Sequence, residues 1–299
     1  MQEEKHKTVF ADFLLLLVAA VWGFGFVAQR AGMDHLGPFA FNGIRFILGG
    51  ICLLPFMRLS GQQKNRKMSL LFASVLAGLF LFAGASLQQI GIQFTTAGKA
   101  GFITGLYVII VPIIGTMAGL KTNPGTWLGG LAAITGLYFL CIEERFIIAA
   151  GDLFVLVSAL FWALHVLLLG YLSTRTHPIR LAAGQFFVCG LCSLIAAALG
   201  EQVSFAAIQA AIIPLLYGGL GSVGIGYTLQ VVAQQKAHPS HAALLLSMES
   251  AFAALGGWWL LGEHLSSRGI IGCALMLAGM IISQVWPESV RSGTGSNDV

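Results

Sequence analysis

The chain consists of long apolar runs separated by short polar segments. A helix needs roughly 20 apolar residues to cross the hydrocarbon core of a bilayer, and runs of about that length recur from Phe10 to Trp286. The separating segments contain turn-forming residues, as at His177-Pro178 and His238-Pro239. This pattern predicts ten transmembrane helices, at residues 10–28, 38–57, 68–90, 96–120, 126–142, 152–172, 179–199, 210–233, 240–262 and 268–286.

The two halves of the chain repeat each other at an offset of 140 residues. Asp12 is followed ten residues later by Trp22, and Asp152 is followed at the same interval by Trp162. The offset persists at Pro38/Pro178, Arg45/Gln185 and Gly50/Gly190. Because a unit of five helices is odd in number, its second copy has to enter the membrane from the opposite side. We therefore predict an inverted repeat of two five-helix halves, 10–142 and 152–286, followed by a disordered tail at 287–299.

The composition agrees with this interpretation. The 299 residues are 57% hydrophobic and only 9% charged, whereas roughly 25% of the residues of an ordinary soluble domain are charged. The 38 glycines favour close packing of helices in lipid. The composition thus predicts an all-α membrane protein.

The basic residues are scattered over short loops and form no nucleic-acid-binding surface, so we expect no nucleic acid partner. Lys5 and Lys7 precede the first run, and a further basic cluster lies within 58–67, on the same side of the predicted bundle. Cytoplasmic loops carry an excess of lysine and arginine. The distribution of charge predicts that both termini are cytoplasmic.

Several short motifs carry a resemblance to a known family. Asp12 and Trp22-Gly23 open the first helix, Leu260-Leu261-Gly262-Glu263 closes the ninth, and Gly272 and Gly279 are spaced seven apart in the tenth. In order and spacing these motifs resemble the EamA-type drug/metabolite transporter family, over residues 10–286. The resemblance implies a ten-helix carrier of the bacterial inner membrane, most often an exporter of amino acids, other metabolites or toxic compounds.

One position departs from the pattern that the resemblance implies. The family commonly carries Leu-Glu-Pro in its ninth helix, whereas this chain has Met248-Glu249-Ser250. The acid is present and the proline is absent, so the sequence gives no support for a helix break at this point. The fourth helix does keep a proline, Pro112.

The charged residues inside apolar runs are the first candidates for function. A charge within the bilayer costs about 2.5–3.5 kcal/mol on insertion scales, so it usually faces a cavity or a partner. Glu249 either binds a solute amine or exchanges a proton, or it is a structural acid bonded to a neighbouring helix. Arg45 either faces the cavity or extends to the interface. Asp12 and Asp152 are explained by the helix dipole, and Lys99 by a surface position.

Uncharged polar and aromatic residues within apolar runs complete the candidate set. In lipid each amide or imidazole needs a hydrogen-bond partner, which is either another helix or a ligand. The tryptophans and tyrosines either line a cavity or anchor helices at the interface. The predicted solute-binding residues are Trp22, Arg45, Gln88, Gln89, Tyr107, Trp162, His165, Gln185, Tyr227, Gln230 and Glu249.

Small residues and a proline are candidates for packing and gating. Gly101, Gly105 and Pro112 lie in the fourth helix, and Gly224 and Gly226 lie in a glycine-rich stretch of the eighth. Glycine permits close approach of helices, and proline removes one backbone hydrogen bond. These residues predict either tight crossings or flexible points in the two helices.

Together these features predict a secondary transporter that exports small metabolites by alternating access around a central cavity. Aromatic rings with amides and one or two charges suit amino acids or related amphipathic zwitterions. A multidrug or toxic-cation exporter is the alternative within the same fold, and a membrane-embedded enzyme or a channel is the alternative from another class. No Walker-type motif occurs. We expect no cofactor or metal, and protons are a candidate coupling ion.

Overall fold

The structure, a computed structural model, describes residues 2–59, 68–141, 150–262 and 266–286. The described residues form helices and connecting turns without any strand. The helices are α1 (Gln2–Gly32), α2 (Pro38–Leu59), α3 (Leu70–Ile92), α4 (Ala97–Gly105), α5 (Tyr107–Met117), α6 (Pro124–Cys141), α7 (Ala150–Leu172), α8 (Pro178–Gly200), α9 (Phe205–Ala210), α10 (Ile212–Leu216), a π-helix (Tyr217–Tyr227), α11 (Thr228–Ala233), α12 (Pro239–Leu246), α13 (Glu249–Leu261) and α14 (Ser267–Val285).

Eight helical segments within the described residues are long and apolar enough to cross a membrane. They cover eight of the ten predicted spans. Of the other two predicted spans, one corresponds to α6, which has 18 residues, and the other to an apolar stretch of α14, Ser267–Ser283. The protein is therefore a multi-pass helical membrane protein, and a total of ten spans stays a prediction.

Helices α2 and α8, which occupy equivalent places in the two predicted halves, pack against each other. A Cβ added at Gly50 would lie 3.0 Å from the ring of Phe187, and one added at Gly190 would lie 2.8 Å from Ile47. These two contacts are reciprocal, because each residue of one pair lies 140 positions from its counterpart in the other. Low residue numbers of α2 meet high numbers of α8, so the two helices run antiparallel.

Helices α6 and α14 form a second reciprocal contact. Gly129 packs directly on the backbone carbonyl of Gly279, and Gly136 packs on that of Gly272. The two glycine pairs that the sequence sets seven residues apart therefore meet each other across one antiparallel crossing. A Cβ at Gly129, Gly136 or Gly279 would collide with the facing backbone. The two helices can approach this closely only because glycine has no side chain.

The remaining long helices surround the middle of the molecule. Helix α1 packs against α13 and the π-helix, while α7 packs against α3, α4 and α5. In the predicted repeat, α1 corresponds to α7, α13 to the α4–α5 region, and the π-helix to α3. The neighbours of α1 are therefore the counterparts of the neighbours of α7, as a repeat predicts.

The ninth predicted helix has a local break at Ser247 and Met248, although the proline is missing. Both residues keep right-handed helical dihedral angles. Met248 N donates to the Leu245 carbonyl at 3.2 Å and Ser250 N donates to the Ser247 carbonyl at 3.1 Å. The break is therefore a short tightening of the helix to three-residue spacing and not an unwound segment. The Ser247 hydroxyl donates to the Leu244 carbonyl at 2.8 Å, and the Ser250 hydroxyl donates to the Gly101 carbonyl of α4 at 2.7 Å. Serine side chains that bond the backbone in this way compete with the helix.

The fourth predicted helix is also broken, at Leu106, six residues before Pro112. Pro112 lies inside α5, where its carbonyl accepts a hydrogen bond from the Thr116 hydroxyl. Two further differences concern the ends. Helix α1 begins at Gln2, so Asp12 is not in a first turn, whereas Asp152 is in the first turn of α7. The predicted tail 287–299 and residue 142 lie outside the described residues.

Candidate functional site

A small cavity lies between the middle portions of the long helices, and in this conformation its free space of about 30 Å³ is enough for one or two water molecules. A larger solute would therefore need the helices around it to move. Segments from both predicted halves contribute to its wall. The lining residues are Trp22, Phe26, Gln29, Gln88, Thr104, Tyr107, Trp162, Val166, Ser222, Tyr227, Gln230, Leu246 and Glu249.

Glu249 supplies an acidic group to this cavity. It is the first residue of α13, directly after the helix break, and its side chain is 3% exposed. Its carboxyl faces the Tyr107 hydroxyl, close enough for a side-chain hydrogen bond between the two groups. The Oε1 atom has no hydrogen bond of good geometry. A buried polar atom without such a bond is costly, so this oxygen is available to a ligand that donates hydrogen bonds.

Three aromatic rings form one wall of the cavity. The ring centroid of Tyr227 lies 4.5 Å from that of Trp22 and 6.0 Å from that of Trp162. The Trp22 indole donates to the Ser222 carbonyl at 3.1 Å, whereas Trp162 Nε1 has no partner. Trp22 and Trp162 are the residues related by the offset of 140. The wall offers flat apolar surface and one unpaired N–H donor.

Amide side chains line the rest. Gln88 Nε2 donates to the Thr104 hydroxyl at 3.0 Å, while Gln29 Oε1 and Gln230 Oε1 have no partner. The side chain of Gln89 points elsewhere, since its Nε2 donates to the Gln29 carbonyl at 3.2 Å. Adjacent amides of the same helix thus differ in role: one faces the cavity and the other joins two helices.

Seven of the eleven predicted binding residues line the cavity, and four do not. Arg45, Gln89, His165 and Gln185 are buried outside the lining. His165 Nε2 and Gln185 Oε1 lie 2.9 Å apart and share a hydrogen bond. Whether these four contact a solute in another conformation stays a prediction.

The lining residues that the sequence interpretation missed are one helical turn or two from those it found. Phe26 and Gln29 follow Trp22 at helical spacing, and Thr104 and Leu246 precede Tyr107 and Glu249 by three residues. Ser222 precedes Tyr227 by five, the spacing of a π-helix rather than an α-helix. Extending each polar residue along its own helix face would have found most of them; Val166, four after Trp162, is a further example.

The glycines predicted for packing lie at close crossings beside the cavity. A Cβ at Gly105 would meet the Ser250 hydroxyl at 2.6 Å, and a Cβ at Gly101 would meet Ala253 at 3.0 Å. A Cβ at Gly226 would meet the Trp22 indole nitrogen at 2.5 Å, and one at Gly224 would meet the Gly219 carbonyl at 3.3 Å. Gly101, Gly105 and Gly226 thus leave room for side chains of neighbouring helices, whereas the atom nearest to a Cβ at Gly224 belongs to its own helix. A gating role stays a prediction.

Two acid–base pairs lie away from the cavity. Asp12 Oδ1 is 3.1 Å from His241 Nε2, and Lys99 Nζ is 2.6 Å from Asp152 Oδ2. The acids that the dipole explanation treated separately are each joined to a base from a distant segment. Within the described residues, no three histidine, cysteine or acidic side chains come together as metal ligands.

These features define a class: a multi-pass helical membrane protein with a small polar and aromatic cavity at its centre. The model of the EamA-like transporter family matches residues 9–142 and again residues 149–284. The chain therefore belongs to the EamA-like transporter family.

The relatives are named as transporters whose function is uncharacterised. An "uncharacterized transporter" of Archaeoglobus fulgidus is 31% identical over 280 residues, covering 93% of this chain and 87% of the relative. The transporter YoaV of Bacillus subtilis is 24% identical, covering 90% and 94%. The inner membrane transporter YedA of Escherichia coli is 23% identical, covering 88% of each chain. These names support a transporter role, which is not that of an enzyme.

A solved crystal structure of another protein shares the fold. It superposes with a TM-score of 0.72 at 18% identity, covering 92% of this chain and 96% of the other.

Proposed function

We propose that the protein is a secondary transporter that exports small metabolites, with amino acids and related amphipathic zwitterions as the solute class. The observation that carries this proposal is the buried Glu249 carboxylate, which opens onto a cavity walled by Trp22, Trp162 and Tyr227. An ammonium group would bind Glu249, and an apolar side chain would contact the rings by dispersion and cation–π interaction. The unpaired amide and indole groups would fix its orientation.

The mechanism proposed is alternating access by two inverted halves. Two observations support it: equivalent helices α2 and α8 cross antiparallel with reciprocal contacts, and so do α6 and α14. In inverted repeats the binding site lies at the interface of the halves near the midplane, and the cavity takes residues from both. Labelling of single cysteines beside Asp12 and Asp152 tests the topology, since the two sites should react from opposite sides of the membrane.

Glu249 provides the test of solute binding. Purified protein reconstituted in liposomes should show saturable flux of an amino acid such as phenylalanine. Glu249→Gln should weaken phenylalanine binding at least about tenfold, because a charge-assisted hydrogen bond contributes roughly 1.5–3 kcal/mol. Asp34→Asn is the matched control, since Asp34 is exposed and pairs only locally with Arg30. Unchanged affinity in Glu249→Gln would remove the proposed amine site.

The same variant tests protons as the coupling ion. If Glu249 carries the coupled proton, wild-type flux should respond to a pH gradient and Glu249→Gln flux should not. A pH-gradient response that survives in the variant would exclude Glu249 from coupling. The bacterial inner membrane as location belongs to this proposal and is supported by the similarity to YedA, an inner membrane transporter of Escherichia coli. The cytoplasmic position of both termini also belongs to it and rests on the distribution of lysine and arginine.

One observation favours a second candidate, an exporter of organic cations. The described lining contains Glu249 but no lysine, arginine or histidine, so this conformation offers no cation to a carboxylate. Comparing phenylalanine with phenethylamine separates the candidates. Tighter binding and faster flux of the amine would favour the cation exporter, and the reverse would favour the amino acid exporter.

A further inference from the structure

Arg45 is a fully buried cation without an acidic partner. It lies in α2 with 1% of its side chain exposed, and none of the ion pairs among the described residues includes it. Its Nε donates to Asn42 Oδ1 at 2.9 Å. Asn42 is itself fixed, because its Nδ2 donates to the Ala85 carbonyl at 3.0 Å. The guanidinium is thus held in place by one neutral hydrogen bond.

No carboxylate among the described residues pairs with this guanidinium. A guanidinium carries five N–H donors in a rigid fork that matches a carboxylate. The rings of Phe41 and Phe46, whose centroids lie 5.6 and 4.9 Å from the Arg45 Cζ, stabilise the charge. They accept no in-plane hydrogen bond. A buried charge that lacks an opposite charge is strongly unfavourable inside a membrane protein unless a ligand supplies it.

Tyr227 connects the cavity to the rings around Arg45. Tyr227 lines the cavity and contacts Trp22 and Trp162, while its centroid is also 5.8 Å from that of Phe46 and 6.0 Å from that of Phe186. Phe46 is one of the two rings beside the Arg45 guanidinium. The ring of one residue, Phe46, therefore touches both the cavity wall and the surroundings of the buried cation.

We propose that Arg45, held by Asn42, is a closed subsite for the carboxylate of the transported molecule, and that the Tyr227 ring is the barrier between this subsite and the cavity. The inference rests on the proposed function, to which it adds the second half of a zwitterion site. Glu249 binds the amine, Arg45 binds the carboxylate, and the two charges become available together only when Tyr227 moves.

One irregular segment reaches both Arg45 and the cavity. Tyr227 is the last residue of the 11-residue π-helix, and π-helical turns are rare and occur frequently at functional sites. Gly218, near the other end of this helix, faces Arg45: a Cβ there would lie 3.3 Å from Arg45 Cδ. The same segment therefore contacts the cation and carries the ring that lines the cavity.

Three ligands that share a phenyl ring test the subsite: phenylalanine, phenethylamine, which lacks the carboxylate, and 3-phenylpropionate, which lacks the amine. Ligand affinity is read from thermal stabilisation of the purified protein, since binding raises apparent stability by RT ln(1 + [L]/Kd). In Arg45→Gln we expect phenylalanine and 3-phenylpropionate to bind at least about tenfold more weakly and phenethylamine to bind within about twofold of wild type.

Two further variants control for structure. Arg30→Gln removes a guanidinium that is exposed and paired with Asp34, and it should behave as wild type with all three ligands. Arg45→Lys keeps the charge without the planar fork. It should retain carboxylate binding with a loss of several-fold, and it replaces Arg45→Gln if that variant does not fold.

The subsite proposal is overturned if 3-phenylpropionate fails to stabilise the wild type, if it stabilises Arg45→Gln as strongly, or if the variant weakens the amine and the carboxylate equally. Failure of the proposed function has a different signature. In that case liposomes show no phenylalanine flux, although 3-phenylpropionate still stabilises the wild type and depends on Arg45.

Discussion

The two ends of the molecule carry the same kind of contact built with different bases. At one end Asp12 of α1 pairs with His241 of α12, and at the other Asp152 of α7 pairs with Lys99 of α4. The acids lie 140 residues apart and the bases 142, so the pairs correspond to each other in the two predicted halves. Lysine is a cation throughout the neutral range, whereas a neutral imidazole can hold an acid by a hydrogen bond. The same geometry is thus built from an ion pair at one end and from a histidine contact at the other.

The surroundings of the pairs differ as well. His241 Nδ1 lies 3.2 Å from the Ser283 hydroxyl, which in turn lies 3.2 Å from the Thr126 hydroxyl. This chain joins four helices and persists with a neutral imidazole. The Lys99–Asp152 contact is a short ion pair whose acid is only 6% exposed. If the two ends open in turn, as proposed, opening at one end has to separate the two opposite charges of Lys99 and Asp152. Opening at the other end separates Asp12 from His241, and with a neutral imidazole only one of these two groups is charged.

The largest expected effect comes from removing the base at the lysine end. Lys99→Met removes the lysine that pairs with the buried Asp152 carboxylate, and removing one partner of a fully buried pair costs about 3–5 kcal/mol. Because Lys99 is partly exposed, we expect a loss of about 2 kcal/mol in the free energy of unfolding. Asp12→Asn at the other end should cost about 0.5 kcal/mol. Denaturation of the purified proteins in detergent measures both.

The double variant Lys99→Met/Asp152→Asn is the control for this prediction. A neutral amide in place of the carboxylate removes the uncompensated charge, so most of the lost stability should return. Equal losses in Lys99→Met and Asp12→Asn would show that the two ends do not differ in the way proposed.

How well a feature of this protein could be predicted from the sequence depends on how far apart along the chain the interacting residues lie. Apolar runs of membrane length indicate helices directly, and polar residues inside such runs, such as Gln88, Tyr107 and Glu249, indicated the cavity. Which of two adjacent amides faces the cavity was not predictable, because Gln88 and Gln89 differ only in helix phase relative to neighbours that the sequence does not place.

The breaks in the fourth and ninth predicted helices show the same limit. Proline is the local signal for a break, but the break at Ser247 and Met248 lies where Ser250 bonds a carbonyl of α4. This contact joins residues 149 positions apart, and no local pattern contains it. The pairing of Asp12 with His241 is equally distant along the chain. The helix-dipole explanation for Asp12 was reasonable locally and omitted the partner.

A smaller effect should follow from making the two ends alike. In His241→Lys the contact with Asp12 becomes an ion pair, as at the other end, so opening at that end becomes less favourable. Flux of this variant at pH 7.5 should therefore be about threefold lower than that of wild type, since a partly exposed ion pair contributes up to about 1 kcal/mol. Flux in liposomes with equal pH on both sides measures it.

His238 needs control in that experiment, because it lies close to His241. The comparison is therefore repeated with His238→Asn in both proteins. Equal fluxes of His241→Lys and wild type would show that the His241 contact does not control the rate of transport.

The smallest expected effect concerns the residues that cap the two base-carrying helices. At the N-terminus of α4 the Thr96 hydroxyl accepts from Lys99 N at 3.1 Å, and at that of α12 His238 Nδ1 accepts from Ser240 N at 3.4 Å. Desolvation, and secondly the neighbouring His241, lower the pKa of His238. The unfolded chain then takes up this proton at a higher pH than the folded chain does, so stability is complete above the ordinary histidine pKa of about 6.5 and decreases as the pH falls below it.

Replacing each capping residue by asparagine, which does not titrate, isolates the contribution of His238 protonation to stability. His238→Asn keeps a capping acceptor and cannot gain a proton, so the loss of stability between pH 7 and pH 5 should shrink. Because His238 is exposed to solvent, screening limits the change to less than about 0.5 kcal/mol. Thr96→Asn makes the matched exchange at the lysine end, where no titrating cap is removed, and should leave the pH dependence as it is. Unfolding midpoints at the two pH values measure both, and an equal response of the two variants would mean that protonation of His238 does not destabilise α12.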